Sequence, residues 1–243
     1  ALFSEGPAAK LNQTEHTQPA LLAASVALWR LWLTKCSPEQ QQPRLMAGHS
    51  LGEYSALVCS GAITFHDALI LVKKRGCYMQ EAVAKTNGSM AAVLGLDDDD
   101  VISICSAASQ GQIVEAVNFN SPGQVVIAGN TEAVERAISL AKKANAKALL
   151  LPVSVPSHCS LMKTAAEKLK TALSGINIVP PSIPIVQNVS AEVCLEPEAI
   201  RNNLVFQLYK PVRWAETINL MHNLDVANYI ECGPGKVLTG LNK

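Results

Sequence analysis

Apolar residues recur at two different spacings along this chain, and the alternation of these spacings predicts an α/β fold. Over residues 18–35, leucine and tryptophan residues follow helical spacing. We therefore predict a helix with Pro19 in its first turn. Its tryptophans, Trp29 and Trp32, are expected in the core, with a binding platform as the less favoured alternative. A second helix is predicted from about His66 to Ala84. The short apolar run 45–47 follows a polar linker and predicts a strand that ends at a glycine-rich turn.

The middle of the chain follows another order of elements: strand, helix, strand, strand, helix, strand. This order is typical of a ferredoxin-like subdomain, and we predict one over residues 87–153. Residues 1–86 and 154–243 would then form the main α/β core around this insertion. The predicted strands cover 90–96, 113–119, 125–128 and 148–153, and the predicted helices cover 97–108 and 131–143.

Beyond residue 154 the chain returns to simple alternation of helices and strands. This pattern predicts a hydrolase-like core built on a parallel sheet. The predicted elements are a helix that ends near residue 173, a strand at 183–189, helices at 197–208 and 211–223, a strand at 226–230 and a short terminal helix.

Composition and charge narrow the class of protein. With 243 residues, of which 49% are hydrophobic, the chain is long enough to bury a substantial core. Lys plus Arg equals Asp plus Glu at 20 each, and no basic run is interleaved with aromatics, so we expect no nucleic-acid partner. The longest apolar stretch, 20–33, contains Arg30 and is too short to span a bilayer. No signal-peptide pattern opens the sequence, so we expect a cytoplasmic protein with no membrane partner.

The seven cysteines are an odd number and include no Cys-x-x-Cys pair, which predicts reduced thiols and no zinc site. A reactive thiol at Cys159, next to His158, is a less favoured alternative. The four acids Asp97 to Asp100 offer a metal site as an alternative. A solvated cap that complements the helix dipole is favoured for them. We therefore expect no metal and no cofactor.

The first candidate catalytic motif is Gly48-His49-Ser50-Leu51-Gly52, which lies between the predicted strand 45–47 and a helix-like run. A Gly-x-Ser-x-Gly turn presents a serine hydroxyl at a strand-to-helix elbow, and the helix N-terminus faces a developing oxyanion. The pattern predicts an acyl-transfer enzyme with Ser50 as nucleophile. The alternative is a glycine-rich turn in which Ser50 only caps the helix.

A serine nucleophile needs a base, and histidine is the usual one because its pKa lies near neutrality. His158 is the favoured base, since Pro156 fixes the backbone before it and a helix follows. It also comes after the predicted strand 148–153, where an α/β sheet carries functional groups. His49 is adjacent to Ser50, and neighbouring side chains on a turn diverge. We therefore expect His49 to be a donor on the substrate side and not the base.

The group that orients His158 is not an obvious acid. A hydrolase supplies its acid between the serine and the histidine, whereas the late acids Glu216, Asp225 and Glu231 follow His158. A carbonyl that accepts the imidazole N–H is the alternative.

Five segments carry a resemblance to a known family, and they occur in the family's order across nearly the whole chain. The segments are Gly48–Tyr54, Asn118–Gln124, Val155–His158, Pro211–Trp214 and Gly233–Leu238. Together they resemble the malonyl-CoA:acyl-carrier-protein transacylases of type II fatty acid synthesis. The resemblance implies a monomeric acyltransferase whose partners are malonyl-CoA and acyl carrier protein.

The resemblance also implies residue roles. Ser50 takes the malonyl group as an ester, and His158 acts as general base and acid. The backbone carbonyl of Gln207 orients His158, and the backbone N–H of Leu51 forms half of the oxyanion hole. Arg75 pairs with the free malonyl carboxylate, a role that suits a guanidinium fork, whereas composition alone would favour a solvated helix arginine.

The chain departs from the family pattern at both ends. The family's first strand and its Gly-Gln-Gly loop, which supplies the second oxyanion donor, have no counterpart here, and the helix that follows Leu241 in the family is also missing. Loss of one oxyanion donor costs about 2.7–4 kcal/mol in the transition state. The expectation is that the chain as given transfers acyl groups poorly or folds incompletely.

Three other functions remain open on the sequence. An acyltransferase domain of a polyketide synthase shares the serine and histidine motifs, although Val155–His158 resembles the free-standing enzymes more closely. A thioesterase would use the same elbow with water as the acceptor. A noncatalytic module that binds carrier protein is the third alternative.

Overall fold

The computed structural model describes residues 6–37, 42–83, 87–153 and 155–242, and it shows an α/β fold with two separate sheets. The helices are α1 (Ala8–Leu11), α2 (Thr14–Lys35), α3 (Leu51–Cys59), α4 (Phe65–Val83), α5 (Asp98–Ser109), α6 (Thr131–Lys143), α7 (Lys163–Leu173), α8 (Pro197–Phe206), α9 (Trp214–Asn223) and α10 (Val237–Leu241). The strands are β1 (Met46–Ala47), β2 (Gly88–Leu94), β3 (Val114–Ser121), β4 (Gln124–Asn130), β5 (Lys147–Leu150), β6 (Ile185–Val186) and β7 (Val193–Cys194).

The sheet of the core is short and mixed. Strand β1 pairs with β6 in parallel, and β6 pairs with β7 in antiparallel fashion. The expected parallel sheet is therefore represented by one strand pair within the described residues. The predicted strand at 183–189 is paired only over β6, and the predicted strand at 226–230 forms no strand. Periodicity identified these apolar runs correctly, but pairing needs a neighbouring strand, which local sequence does not reveal.

The second sheet contains four strands in the order β3-β4-β2-β5, with antiparallel pairing throughout. The amphipathic helices α5 and α6 cover one face, because their small buried residues, such as Ala133 and Ala137, approach the sheet closely. The other face packs on the core through Met90 and Val117, which contact Cys159. This contact brings the sheet against the chain segment that carries His158.

Helices α2 and α4 cross closely in the core. A Cβ atom built on Gly76 would lie 2.6 Å from the Cα of Glu15, so a larger residue would force the two helices apart. This close approach brings Gln18 on α2 against Arg75 on α4, where their side chains hydrogen bond at 2.8 Å. Helix packing thus contributes directly to the candidate site.

Helix α2 differs from its prediction in two respects. It begins at Thr14, so Pro19 lies in its second turn. The expectation that Trp29 and Trp32 lie in the core is wrong, because both are half-buried, and the neighbouring Leu28 and Leu31 are exposed. These four residues line a cavity of about 1130 Å³. Helix α2 is apolar on more than one face, and only one face packs on α4.

The remaining helices match their predictions within a few residues. Helix α4 begins one residue before the expected start at His66, and the expected end at Ala84 lies outside the described residues. Over the described ranges, no helix combines the length and the hydropathy that crossing a bilayer requires. All seven cysteines are within those ranges, and none is part of a disulfide.

Candidate active site

A sharp turn joins β1 to α3 and carries Ser50. A Cβ atom on Gly48 would lie 1.9 Å from the backbone carbon of Gly52, so only glycine fits at position 48. A Cβ atom on Gly52 would meet nothing within 4 Å. The turn therefore requires the first glycine of the motif on steric grounds, but not the second.

Ser50 occupies a strained backbone conformation, with φ 52° and ψ −107°. It precedes the first residue of α3 but makes no side-chain hydrogen bond to the helix N-terminus, so the interpretation of Ser50 as a simple helix cap is wrong. Its hydroxyl lies instead 2.8 Å from Nε2 of His158. Strain at such a position is typical of nucleophile elbows, in which the hydroxyl must point away from the turn.

His158 is 3% exposed and is held by two backbone groups. Its backbone N–H donates to the carbonyl of Leu208 at 2.9 Å, and its Nδ1–H donates to the carbonyl of Gln207 at 2.6 Å. Because a carbonyl can only accept, Nδ1 carries the proton and Nε2 presents its lone pair to Ser50. The orienting group is a neutral carbonyl, while Glu216 pairs with Arg213 on the surface.

The prediction that His158 follows the carboxyl end of a parallel strand is wrong. Strand β5 is an edge strand of the antiparallel sheet, not a parallel strand whose carboxyl end opens into the site. His158 reaches Ser50 because the chain after β5 returns to the core and packs Cys159 beneath the second sheet. Its φ of 67° turns the backbone toward the elbow.

Burial and the nearby positive charge of Arg75 lower the pKa of His158 to about 3, against the opposing effect of the Gln207 hydrogen bond. The imidazole is therefore neutral at physiological pH. Arg75 is itself 2% exposed and lies with its guanidinium 5.4 Å from the ring centre of Tyr54. The alternative of a solvated helix arginine is therefore wrong.

The guanidinium of Arg75 contacts three groups. Its Nη2 donates to the Ser50 hydroxyl at 3.1 Å and to Oε1 of Gln207 at 3.1 Å, and its Nη1 donates to Gln18. Its Nε is buried and has no hydrogen-bond partner among the described residues. Nη2 is thus the guanidinium nitrogen that lies beside the nucleophile, and Nε is a donor without a hydrogen-bond partner there.

Leu51 and His49 flank the nucleophile. Leu51 is the first residue of α3, so its backbone N–H has no carbonyl partner within the helix. Nε2 of His49 lies 2.9 Å from Oδ1 of Asn120, and the His49 ring packs 5.6 Å from Trp214. Burial lowers the pKa of His49. His49 therefore faces the end of β3 and the first residue of α9.

A buried polar cluster behind the elbow was missed by the sequence analysis. Oε2 of Glu53 accepts hydrogen bonds from the backbone N–H of Asn188 and from Nε2 of Gln207, both at 3.0 Å. Gln18 joins through Arg75. The available signal was a polar pair, Gln187 and Asn188, that closes an apolar run.

Known proteins resemble this chain over nearly its whole length. The family described as acyl transferase domain matches residues 2–240. A malonyl CoA-acyl carrier protein transacylase of Escherichia coli K12 is 56% identical over 248 residues, which cover 100% of this chain and 78% of that protein. A Bacillus subtilis protein of the same name is 46% identical and is covered to 76%.

The chain belongs to the malonyl CoA-acyl carrier protein transacylase family.

Solved structures of this transacylase family agree with the fold. The enzyme of Coxiella burnetii superimposes with a TM-score of 0.97 at 48% identity, with coverage of 100% of this chain and 76% of that one. A second structure is described as a type II PKS acyl-carrier protein in complex with its malonyl-transacylase. It superimposes with a TM-score of 0.96 at 56% identity, with coverage of 100% and 78%.

Within residues 6–37, 42–83, 87–153 and 155–242, no cluster of histidine, cysteine and acidic side chains could hold a metal ion. Asp98, Asp99 and Asp100 form the first turn of α5. Cys159 is fully buried, and burial raises the pKa of its thiol to about 12, so the alternative of a reactive thiol at this position is disfavoured.

The pH dependence of acylation in this transacylase-family chain should reflect the low pKa of His158. An unperturbed imidazole of pKa 6.5 would lose about 90% of its basic form at pH 5.5. Because the pKa of His158 is depressed, its neutral form persists as the pH falls toward 3. We expect protonation of His158 to change kcat/KM for acylation by less than about twofold between pH 7.5 and 5.5. A tenfold fall that persists in Glu53→Gln, which removes the carboxyl whose pKa is raised to about 7, would contradict this.

Replacement of Glu53 should change stability in a pH-dependent manner. Burial raises the pKa of Glu53 from 4.5 to about 7, so the folded state binds a proton more tightly than the unfolded state between these values. Titration of Glu53 therefore lowers the stability of the wild-type protein as the pH rises from 4.5 to 7, and this contribution is absent in Glu53→Gln. We expect the Tm difference in favour of Glu53→Gln to grow by about 5 °C across this window.

Titration of His158 occurs in both proteins and cancels in this Tm difference. The exposed Glu192→Gln is the matched control, and it should show no such trend. A Tm difference between wild type and Glu53→Gln that stays constant from pH 4.5 to 8 would show that Glu53 does not titrate as described.

Proposed function

We propose that this chain transfers a malonyl group from malonyl-CoA to the phosphopantetheine thiol of acyl carrier protein through a malonyl ester on Ser50. The single observation that carries the proposal is the position of the Ser50 hydroxyl, 2.8 Å from His158 Nε2 and 3.1 Å from Arg75 Nη2. One contact supplies a base, and the other supplies a cation for a substrate carboxylate. The names of the relatives support the same substrate pair.

In the first half-reaction, Nε2 of His158 takes the hydroxyl proton while Oγ of Ser50 attacks the thioester carbonyl. The Oγ–C bond forms, the C–S bond breaks, and His158 returns the proton to the departing thiolate of CoA. The carbonyl of Gln207 holds the Nδ1–H of His158 throughout and stabilises the imidazolium. The developing oxyanion lies at the N-terminus of α3, where the Leu51 N–H is its donor.

Arg75 is the proposed binding residue for the malonyl carboxylate. Its Nη2 lies 3.1 Å from the Ser50 hydroxyl and its Nε has no hydrogen-bond partner among the described residues, so the guanidinium has capacity for a carboxylate next to Ser50. A buried guanidinium binds a carboxylate by charge-assisted hydrogen bonds that a neutral acyl group cannot make. Selection of malonyl over acetyl groups follows from this.

The second half-reaction reverses the first. His158 takes the proton of the phosphopantetheine thiol, the thiolate attacks the ester carbonyl, the C–S bond forms, and the C–O bond to Ser50 breaks. The proton returns to Ser50. His49 lies at the edge of the elbow with Asn120, and we propose it as a donor on the substrate side.

The finer description of the fold belongs to the same proposal. Residues 87–153 form a ferredoxin-like subdomain, supported by the strand order β3-β4-β2-β5 and by a hydrophobic core of its own. Residues 1–86 and 154–243 form a hydrolase-like core. The chain acts as a monomer in the cytoplasm, a location supported by the absence of disulfides among its seven described cysteines.

The test is intact-mass analysis after mixing with malonyl-CoA, followed by addition of holo acyl carrier protein. We expect a malonyl adduct on Ser50 that persists without the carrier and disappears rapidly with it, while the carrier gains the malonyl group. Rapid hydrolysis without carrier would identify a thioesterase instead. Carrier binding without any adduct would identify a noncatalytic module, and transfer only to a carrier domain of a polyketide synthase would identify an acyltransferase domain of such a synthase.

A further inference from the structure

Asn188 bridges the two sides of the nucleophile turn. It lies two residues after the end of β6, and it is fully buried. Oδ1 accepts the backbone N–H of Ser50 at 2.7 Å, and Nδ2 donates to the backbone carbonyl of Gly48 at 2.7 Å. A single planar amide therefore satisfies a donor and an acceptor that lie on either side of His49.

The backbone of Asn188 is itself fixed from two directions. Its N–H donates to Oε2 of Glu53 on α3 at 3.0 Å, and its carbonyl accepts the N–H of Arg213 at 3.0 Å. The side chain of Gln207 adds a third contact, because its Nε2 donates to Oδ1 of Asn188 at 3.4 Å. The amide of Asn188 thus has little freedom to follow a change in the turn.

The backbone groups that Asn188 binds have no partner in a regular element. The Ser50 N–H precedes α3, and the Gly48 carbonyl follows β1, so neither belongs to a helix or strand ladder. Ser50 also holds a positive φ that a non-glycine residue adopts only when its surroundings impose it. Asn188 supplies that constraint at the nucleophile itself.

We propose that Asn188 is a positioning residue that holds the Ser50 hydroxyl in line with His158 Nε2 and Arg75. This inference rests on the proposed function, in which Ser50 is the acylated group. Asn188 acts through the backbone of Ser50 and touches neither His158 nor Arg75. Its loss therefore lowers the rate of acylation and leaves binding of malonyl-CoA nearly unchanged, since misplacement by about 1 Å costs on the order of 100-fold in rate.

The neighbouring residue provides a matched control. Gln187 is also fully buried, but neither atom of its side-chain amide has a hydrogen-bond partner among the described residues. Gln187→Met and Asn188→Leu each replace a buried amide with an apolar group of similar shape. Only Asn188→Leu removes contacts to the turn.

The experiment measures single-turnover acylation by malonyl-CoA, its kcat and KM, and the rate at which a fluorophosphonate probe labels Ser50. Thermal unfolding of each variant establishes that it folds. We expect kcat and the labelling rate to fall about 100-fold in Asn188→Leu, with KM within about threefold of wild type. For Gln187→Met, kcat, KM and the labelling rate should each stay within about twofold of wild type.

Asn188→Asp is the second variant, and it decides the matter if Asn188→Leu does not fold. It retains an acceptor for the Ser50 N–H but sets an oxygen against the Gly48 carbonyl, so we expect a fall of at least about tenfold. A folded Asn188 variant with the wild-type rate, or equal losses in the position 187 and 188 variants, would overturn the proposal.

The probe separates this inference from the proposed function. If wild-type Ser50 reacts with the fluorophosphonate but never with malonyl-CoA, the proposed function fails. The positioning role is then judged on labelling rates alone, by the same comparison of Asn188→Leu, Asn188→Asp and Gln187→Met.

Discussion

Ser50→Ala should abolish formation of the malonyl-enzyme and lower transfer to acyl carrier protein by at least about 10⁴-fold. The hydroxyl is the atom that forms the ester, and neither His158 nor Arg75 can replace it. Removal of the hydroxyl leaves the turn intact, because the backbone contacts to Asn188 and Gln207 remain. Intact-mass analysis after mixing with malonyl-CoA measures the loss directly, and carrier malonylation measures it under turnover.

Ser55→Ala is the matched control for this experiment. Ser55 lies in α3, just past the first turn after the elbow, and is also buried. It should leave both adduct formation and transfer within about twofold of wild type. A malonyl adduct that persists in Ser50→Ala would show that another residue carries the acyl group, and the assignment of the nucleophile would be wrong.

Arg75→Ala should erode the preference for malonyl-CoA over acetyl-CoA by about 100-fold. A charge-assisted hydrogen bond in a buried site contributes about 1.5–3 kcal/mol, and only the malonyl group carries the carboxylate that makes it. Acylation by malonyl-CoA should fall, while acylation by acetyl-CoA changes far less. The ratio of kcat/KM for the two substrates is the measurement.

Two further variants serve as comparisons for Arg75→Ala. Lys74→Ala removes an exposed cation from the preceding position of α4 and should leave the substrate ratio unchanged. Arg75→Lys keeps the charge without the fork, so an intermediate ratio is expected. An unchanged ratio in Arg75→Ala would show that the guanidinium does not bind the malonyl carboxylate.

Local sequence was sufficient for much of the fold. The prediction of a helix over 131–143 is confirmed at both ends, because its apolar residues follow one helical face and bury Ala133, Val134, Ala137 and Ala141. The order of elements in 87–153 is likewise as predicted. The expected strand at 226–230 is wrong, since an apolar run forms a strand only where another strand pairs with it.

The site was predicted only in part, because local sequence does not show which distant residues meet. Motif spacing and family resemblance pointed to Ser50, His158, Gln207 and Arg75, and the structure brings these four together, although their roles stay predictions. The partners behind them were missed. Glu53 and Asn188 are far apart in sequence, and nothing in either local pattern indicates that the two would meet.

The sequence by itself determined the helices, the order of strands in the middle segment and the glycine at position 48 that the elbow requires, because these depend on local periodicity and on backbone sterics. The tertiary structure alone decided which groups face Ser50. The crossing of α2 and α4 at Gly76 places Arg75 in contact with Gln18. The chain after β6 places Asn188 against the turn that carries Ser50. Such contacts join residues up to 157 positions apart, as in the bond from Gln207 to the Ser50 carbonyl, and only packing of the whole core fixes distances of this kind.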